Sequence, residues 1–371
     1  MRPHFKTKNS SYADFHRHAS SYDYYKVKTM NSMKFQNMST LSCIQIITIV
    51  SQQFIIYSSF IILILGLVGN ILNIITFTSL KIFRNNQCIF YIIVASIVDC
   101  GTLLIEFITR IQLNIYDYDL TNISLVWCKI RPMIFHTCMM ISLTTVCFSS
   151  FDQYLSTSHY YRLRQMSSLT LSKRLTFINI SFWIIYSIPF GIFYQITSVT
   201  GCTILNQGFK FYFSFIHLSI LNGVIPLITA SVFSILSYRN VRHIIRLQIP
   251  IVRRRLDRQL TAMVLIRVLY LFIVSIPFGL FFIYTLNTSN NTNDSLRIAV
   301  EQLITNITST FYYLNYAGSF YLYCFSSNRF RRQINYLLFK KIWQNFYKKI
   351  LFKTTVQRNQ IVPISKISNF K

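Results

Sequence analysis

The residues able to do chemistry are few, and most of them interrupt long apolar runs. Asp99 lies well inside the run 88–109. A carboxylate at such a depth costs several kcal/mol, roughly 2.5–3.5 on insertion scales, so it marks function rather than packing. A second acidic residue, Asp152, closes the third run in the tripeptide Asp152-Gln153-Tyr154. The eight cysteines are scattered, with no Cys-x-x-Cys and no metal spacing. Six of them (Cys43, Cys88, Cys100, Cys138, Cys147, Cys324) lie in or beside apolar runs and read as small buried hydrophobes. Cys128 and Cys202 differ in kind, because they fall at segment boundaries. No nucleophile–base set, metal motif or phosphate loop stands out, so an enzyme is not expected, and neither is a cofactor.

The elements that must position these residues are membrane helices. The chain of 371 residues is 52% hydrophobic and only 13% charged, against roughly 25% charged in soluble domains. A spanning helix needs about 20 apolar residues. Seven stretches qualify: 54–78, 88–109, 130–156, 174–196, 211–238, 262–286 and 299–326. Pro189, Pro226 and Pro277 fall inside them, where neighbouring helices can re-satisfy the freed backbone groups. Residues 1–52 read as a polar, disordered tail and 353–371 as a disordered C-terminus. No secretory leader is evident, so the first helix is expected to act as its own insertion signal.

The net charge of +27 could suggest nucleic acid. It sits in the gaps between apolar runs rather than on a soluble domain, so it reports membrane orientation instead. Loops after the first, third and fifth runs carry Lys81, Arg84, Arg162, Arg164, Lys173, Arg174 and seven arginines between Arg239 and Arg258. Loops after the second, fourth and sixth hold only Arg110, Lys129, Arg131, Lys210 and Arg297. The charge rule places the first set in the cytoplasm and the N-terminus outside a plasma-membrane protein, although the N-terminal tail is itself basic. Sequons at Asn122, Asn287, Asn290 and Asn293 fall in the expected outer loops and vote the same way; Asn179 and Asn306 match the same pattern inside helices. After the seventh run, Phe330, Ile334, Leu337 and Leu338 recur at helical spacing among Arg329, Arg331, Arg332, Lys340 and Lys341. That pattern predicts an amphipathic helix over 328–352 on the inner membrane surface.

Several marks occur in a fixed order: Gly69-Asn70, Asp99, Trp127-Cys128, Asp152-Gln153-Tyr154, Trp183, Pro226, Pro277, Asn315, and Ser319-Phe320-Tyr321-Leu322-Tyr323 followed by Phe330-Arg331. This ordered set resembles the rhodopsin-like, or class A, G-protein-coupled receptors over residues 54–340. The resemblance implies an all-α bundle of seven transmembrane helices with a short amphipathic eighth helix. It implies a disulfide between Cys128 and Cys202. It also implies a sodium-ion pocket of Asp99, Ser142, Asn315 and Ser319, for which a water-filled hydrogen-bond network is the alternative. Activation and G-protein coupling would fall to Asp152, Gln153, Tyr154, Pro277 and Tyr323.

Three departures touch that activation machinery. Gln153 replaces the arginine of the family's Asp-Arg-Tyr motif; Arg162 or Arg164 is then the expected partner of Asp152. Val274-Ser275-Ile276-Pro277 lacks the helix 6 tryptophan, and Ser319-Phe320-Tyr321-Leu322-Tyr323 keeps only the tyrosine of the helix 7 motif. Gln153 is expected to tune coupling down, having no charge and fewer donors than arginine. Phe135 stands where amine receptors carry an aspartate, and Tyr313 where opsins carry a lysine, so neither an amine nor retinal is the expected ligand. The pocket would draw on Phe135, His136, Met139, Phe281, Tyr284 and Tyr312, around an extracellular ligand of peptide type. The helix 7 pattern is similar to that of invertebrate neuropeptide receptors. A chemosensory receptor of the same class is close behind, and a transporter or channel is the reading from outside the class; against it, no internal repeat is seen and Asp99 is the clear deep charge, Glu106 and Arg267 lying nearer helix ends. The expected partners are a heterotrimeric G protein, the ligand and lipid, not nucleic acid.

Overall fold

A computed structural model of the chain describes residues 10–80, 86–116, 120–197, 201–244, 251–288 and 295–337. The order of elements is α1 (Ser10–Ser79), α2 (Gln87–Tyr116), α3 (Leu120–Ile123), α4 (Leu125–Thr157), α5 (Tyr161–Met166), α6 (Leu169–Phe193), β1 (Tyr194–Thr197), β2 (Gly201–Ile204), α7 (Gln207–Phe211), a π-helical stretch (Tyr212–Val224), α8 (Ile225–Ile244), α9 (Ile251–Thr288), α10 (Ser295–Ala317), α11 (Ser319–Ser326) and α12 (Asn328–Asn335).

Six segments are long and apolar enough to cross a membrane: Leu41–Ser79, Gln87–Ile111, Leu125–Thr157, Leu169–Phe193, Gln207–Arg242 and Leu256–Thr285. The chain is therefore an all-α, multi-pass membrane protein. The outward faces agree: Ile61, Ile64, Phe177, Ile185, Ile228 and Ile273 are all exposed on the bundle's flanks. Lipid is the solvent that makes such a surface stable. The seventh expected stretch, 299–326, forms two helices, α10 and α11, that part at Gly318. They pack against α1, α2 and α9.

Two expected boundaries are corrected. The stretch 10–52, read as an irregular tail, belongs to α1. No glycine or proline occurs between Ser10 and Gly66, so no breaker separates the polar part from the apolar part. The fourth run ends at Phe193, and Tyr194 starts a hairpin in which β1 pairs antiparallel with β2, Cys202 opposite Ile196. Gly201 opens β2 at φ 68, a backbone state that a side chain would resist.

The core divides into two clusters. One holds Phe77, Cys88, Ile89, Val146, Met263, Val264, Tyr323 and Phe330. The other holds Leu103, Phe107, Met139, Met140, Trp183, Leu271 and the tyrosines Tyr312, Tyr313 and Tyr316. Gly66 lets α1 approach closely here: a Cβ would run into Leu103 and come within 3.0 Å of the Ala317 Cβ. Of the stretch 328–352, the described part contains helix α12 (Asn328–Asn335), which buries Phe330 and Ile334 while Arg331 and Arg332 stay exposed. Phe330 stacks on Phe77 at 5.3 Å and meets the edge of Tyr323 at 6.2 Å. Residues 338–371 lie outside the described part, as do Asn290 and Asn293.

Candidate functional site

Midway along the bundle, Asp99 of α2 is buried and accepts a hydrogen bond from Ser142 of α4. Its second oxygen faces Arg267 of α9, whose Nη2 stands 3.7 Å away. Arg267 is itself buried and donates through Nη1 to the backbone carbonyl of Asn315. That carbonyl belongs to the last turn of α10, where helices leave acceptors unpaired. Asn70 serves the same helix end, donating to the carbonyl of Tyr316 at 2.9 Å.

This geometry corrects two expectations. Arg267, read as lying nearer a helix end, is in the middle of the bundle, because α9 begins well before residue 262. The four residues expected to share a sodium ion also do not assemble around Asp99. Only Ser142 touches it; the Ser319 hydroxyl donates to Asn70 at 3.2 Å and accepts from Asn73 at 3.0 Å. The side-chain oxygen of Asn315 has no hydrogen-bond partner among the described residues. A guanidinium stands where a small cation was expected, so the set does not fit sodium. A cavity of about 20 Å³ beside Asp99, Arg267, Ser319 and Tyr323 is room for a water molecule.

At the end of the bundle away from the hairpin, Gln153 is buried and joins α4 to α9. Its Nε2 donates to the Thr261 hydroxyl at 2.9 Å and to the Asp257 carbonyl at 3.3 Å. Asp152 accepts from Ser167 at 2.9 Å, and it forms no ion pair with Arg162 or Arg164 among the described residues. The Arg164 guanidinium lies instead over the ring of Tyr161, at 5.8 Å. Tyr154 packs on Phe233, and Tyr323 against Phe77 and Phe330. Pro277 sits within α9 beside Ser275 and Ile276, which line a crevice of about 210 Å³ between α9 and the π-helical stretch.

At the hairpin end, a disulfide joins Cys128 of α4 to Cys202 of β2, with Cα atoms 5.7 Å apart. Below it the expected pocket residues divide. His136 is buried and hydrogen-bonded to His217 at 3.3 Å, with Phe190 4.6 Å away. Met139, Tyr312 and the partly buried Phe135 belong to one apolar cluster. The Tyr312 hydroxyl donates to Asn222 at 2.9 Å. Phe281 and Tyr284 lie apart from them: the two rings pack on each other, and Tyr284 joins Arg297 and Glu301. Asn122 falls in α3 and Asn287 in the last turn of α9. Asn179 is buried, accepting from Thr144 and Trp183.

One constellation was missed in the sequence. Glu106 of α2 is buried and engages two arginines: Arg110 Nε at 2.8 Å on one oxygen, and Arg131 Nη2 at 2.9 Å on the other. Arg110 lies over the Tyr313 ring at 4.7 Å. The signal was present as a Glu–Arg pair at four-residue spacing in an apolar helix. Arg131, on a different helix, had no local signal at all. No protein-family model matches the chain, and no curated protein matches it.

Proposed function

We propose that the chain is a rhodopsin-like, G-protein-coupled receptor of the plasma membrane, with seven crossings, its N-terminus and hairpin outside, and α12 on the inner surface. The observation that supports this best is the course of α4. It starts at a disulfide-tied hairpin and ends in Asp152-Gln153-Tyr154. On the way it meets α9 through Gln153 and faces the Asp99–Arg267 pair through Ser142. A change at the hairpin end could therefore alter how α4 and α9 are held together at the far end. Helix α10, at about 35 Å, is long enough for a seventh crossing. Arg267 supplies the charge that balances Asp99, so the receptor needs no sodium ion there. A peptide or other non-amine ligand would enter beneath the hairpin.

The test is an energy-transfer assay of G-protein dissociation at matched surface expression, screened against peptide and small-molecule libraries. Agonist-driven dissociation of at least one G-protein class is expected. Silence across all classes, with a binder in hand, would sink the reading. A transporter is the second reading, favoured by the buried charges Asp99, Glu106 and Arg267. Substrate flux into vesicles in the absence of G protein would establish it instead.

A further inference from the structure

We infer that the crevice between α9 and the π-helical stretch binds a small, uncharged, apolar molecule that carries a hydroxyl or carbonyl group and arrives through the bilayer. This goes beyond the receptor reading and does not depend on it. It needs only that these helices cross a membrane.

One buried polar group in the crevice lacks a partner. Asn222 lines it and is 7% exposed. Its side-chain oxygen accepts from the Tyr312 hydroxyl at 2.9 Å, but its Nδ2 donates to no described residue. Ser275 lines the α9 wall, and its hydroxyl has no hydrogen-bond partner among the described residues. Buried polar groups are nearly always paired, with protein, water or a ligand. Lipid tails offer no such partner. An alcohol or carbonyl oxygen supplies the acceptor that an amide N–H needs.

The backbone makes the space. Tyr212–Val224 is π-helical over 13 residues, whereas π-helix is usually a single turn, often at a functional site. Gly223 on this stretch and Gly279 on α9 both line the crevice, so neither sends a side chain across it. A Cβ at Gly279 would meet nothing within 4 Å. Close packing is therefore not what requires this glycine, in contrast to Gly66.

The surroundings define the ligand. Leu280 and Val224 line the crevice and are exposed on the same flanks as Ile273 and Ile228, while Tyr312 is buried at the inner end. The crevice thus leads from the lipid face towards the core. Phe278, stacked on Tyr312 at 5.0 Å, gives it an aromatic wall. No Asp, Glu, Lys, Arg or His lines it among the described residues, so a charged ligand would be desolvated without a counter-ion. An apolar cavity of about 150 Å³ holds benzene. The crevice, at about 210 Å³, has room for one ring with a short polar arm.

The test is thermal unfolding of the purified full-length protein in nanodiscs with three probes of similar shape: phenethyl alcohol, ethylbenzene and phenylacetate. Affinities are expressed per mole fraction of probe in the bilayer. Phenethyl alcohol is expected to raise the unfolding temperature in a saturable way. Ethylbenzene should bind about fivefold more weakly, the worth of one hydrogen bond, and phenylacetate should give no shift. In Asn222→Leu the alcohol should fall to the level of ethylbenzene, while ethylbenzene keeps its own shift and so reports an intact crevice. Gly279→Leu fills the open space and should abolish both shifts without lowering the unfolding temperature of the free protein. Equal affinities of alcohol and ethylbenzene for wild type would give the crevice to lipid tails and overturn the proposal. So would a phenylacetate shift as large as the alcohol's, or an alcohol shift undiminished in folded Gly279→Leu. No G protein enters this assay, so its failure leaves the receptor reading standing.

Discussion

Asp99 and Glu106 lie on one face of the same helix, two turns apart, yet their surroundings differ. Asp99 faces one arginine, and both side chains are almost fully enclosed, at 1% and 4% exposure. Glu106 faces two arginines that still reach the surface. The first arrangement is balanced and closed, which suits a fastening between α2 and α9. The second is more open, with guanidiniums 19% and 26% exposed on a carboxylate that is 8% exposed. Each carboxylate thus meets one arginine from a neighbouring helix, and the two differ in the second arginine that α2 itself supplies to Glu106 and in how far the cations reach the surface.

The largest expected effect comes from breaking the closed pair. Arg267→Met leaves Asp99 buried without its cation and should cost about 3–5 kcal/mol, while the double variant Arg267→Met with Asp99→Leu should recover most of it. Thermal unfolding in nanodiscs measures both. The same experiment sharpens the contrast when sodium is added. Wild type should show no sodium-dependent stabilisation beyond an equal potassium control, and Arg267→Met should acquire one. A sodium response in wild type of the same size as in the variant would mean that the guanidinium does not take the ion's place.

Next in size is the covalent tie at the open end. Cys128→Ser removes a link that closes a long loop and should cost about 2–5 kcal/mol. Lower surface expression, with unfolding at a lower temperature, is the expected readout. If instead the variant matches wild type in both, the hairpin is held in place by packing alone.

The smallest effect belongs to the end farthest from the hairpin. Gln153→Ala removes the bonds to Thr261 and the Asp257 carbonyl, a loss of about 1 kcal/mol. Stability should change little, but α4 and α9 are then less firmly joined, so basal G-protein activation should rise. Unchanged basal activity in a well-expressed variant would show that this contact does not restrain signalling.

Much of the frame was legible from particular residues. The apolar run around Asp99 announced both a membrane helix and a polar centre within it, and six of the seven expected crossings coincide with long apolar helices. Phe330 and Ile334, at four-residue spacing among arginines, announced the buried face of α12. Arg267 was misjudged for a local reason: hydropathy begins counting where the apolar run begins, whereas α9 starts at Ile251 in a basic stretch. Glu106 was misjudged similarly, since α2 continues to Tyr116.

What the sequence determined by itself is the six long apolar helices, the side chains too polar to be there without a reason, and the two cysteines at segment boundaries. Only the tertiary structure decided the partners across helices: Asp99 with Arg267, Glu106 with Arg131, Gln153 with Thr261, and Ser319 with Asn70 and Asn73. The reason is that periodicity fixes which residues share a face of one helix. It does not fix how far that helix is rotated or shifted against its neighbours, and a shift of one turn, about 5.4 Å, exchanges one partner for another.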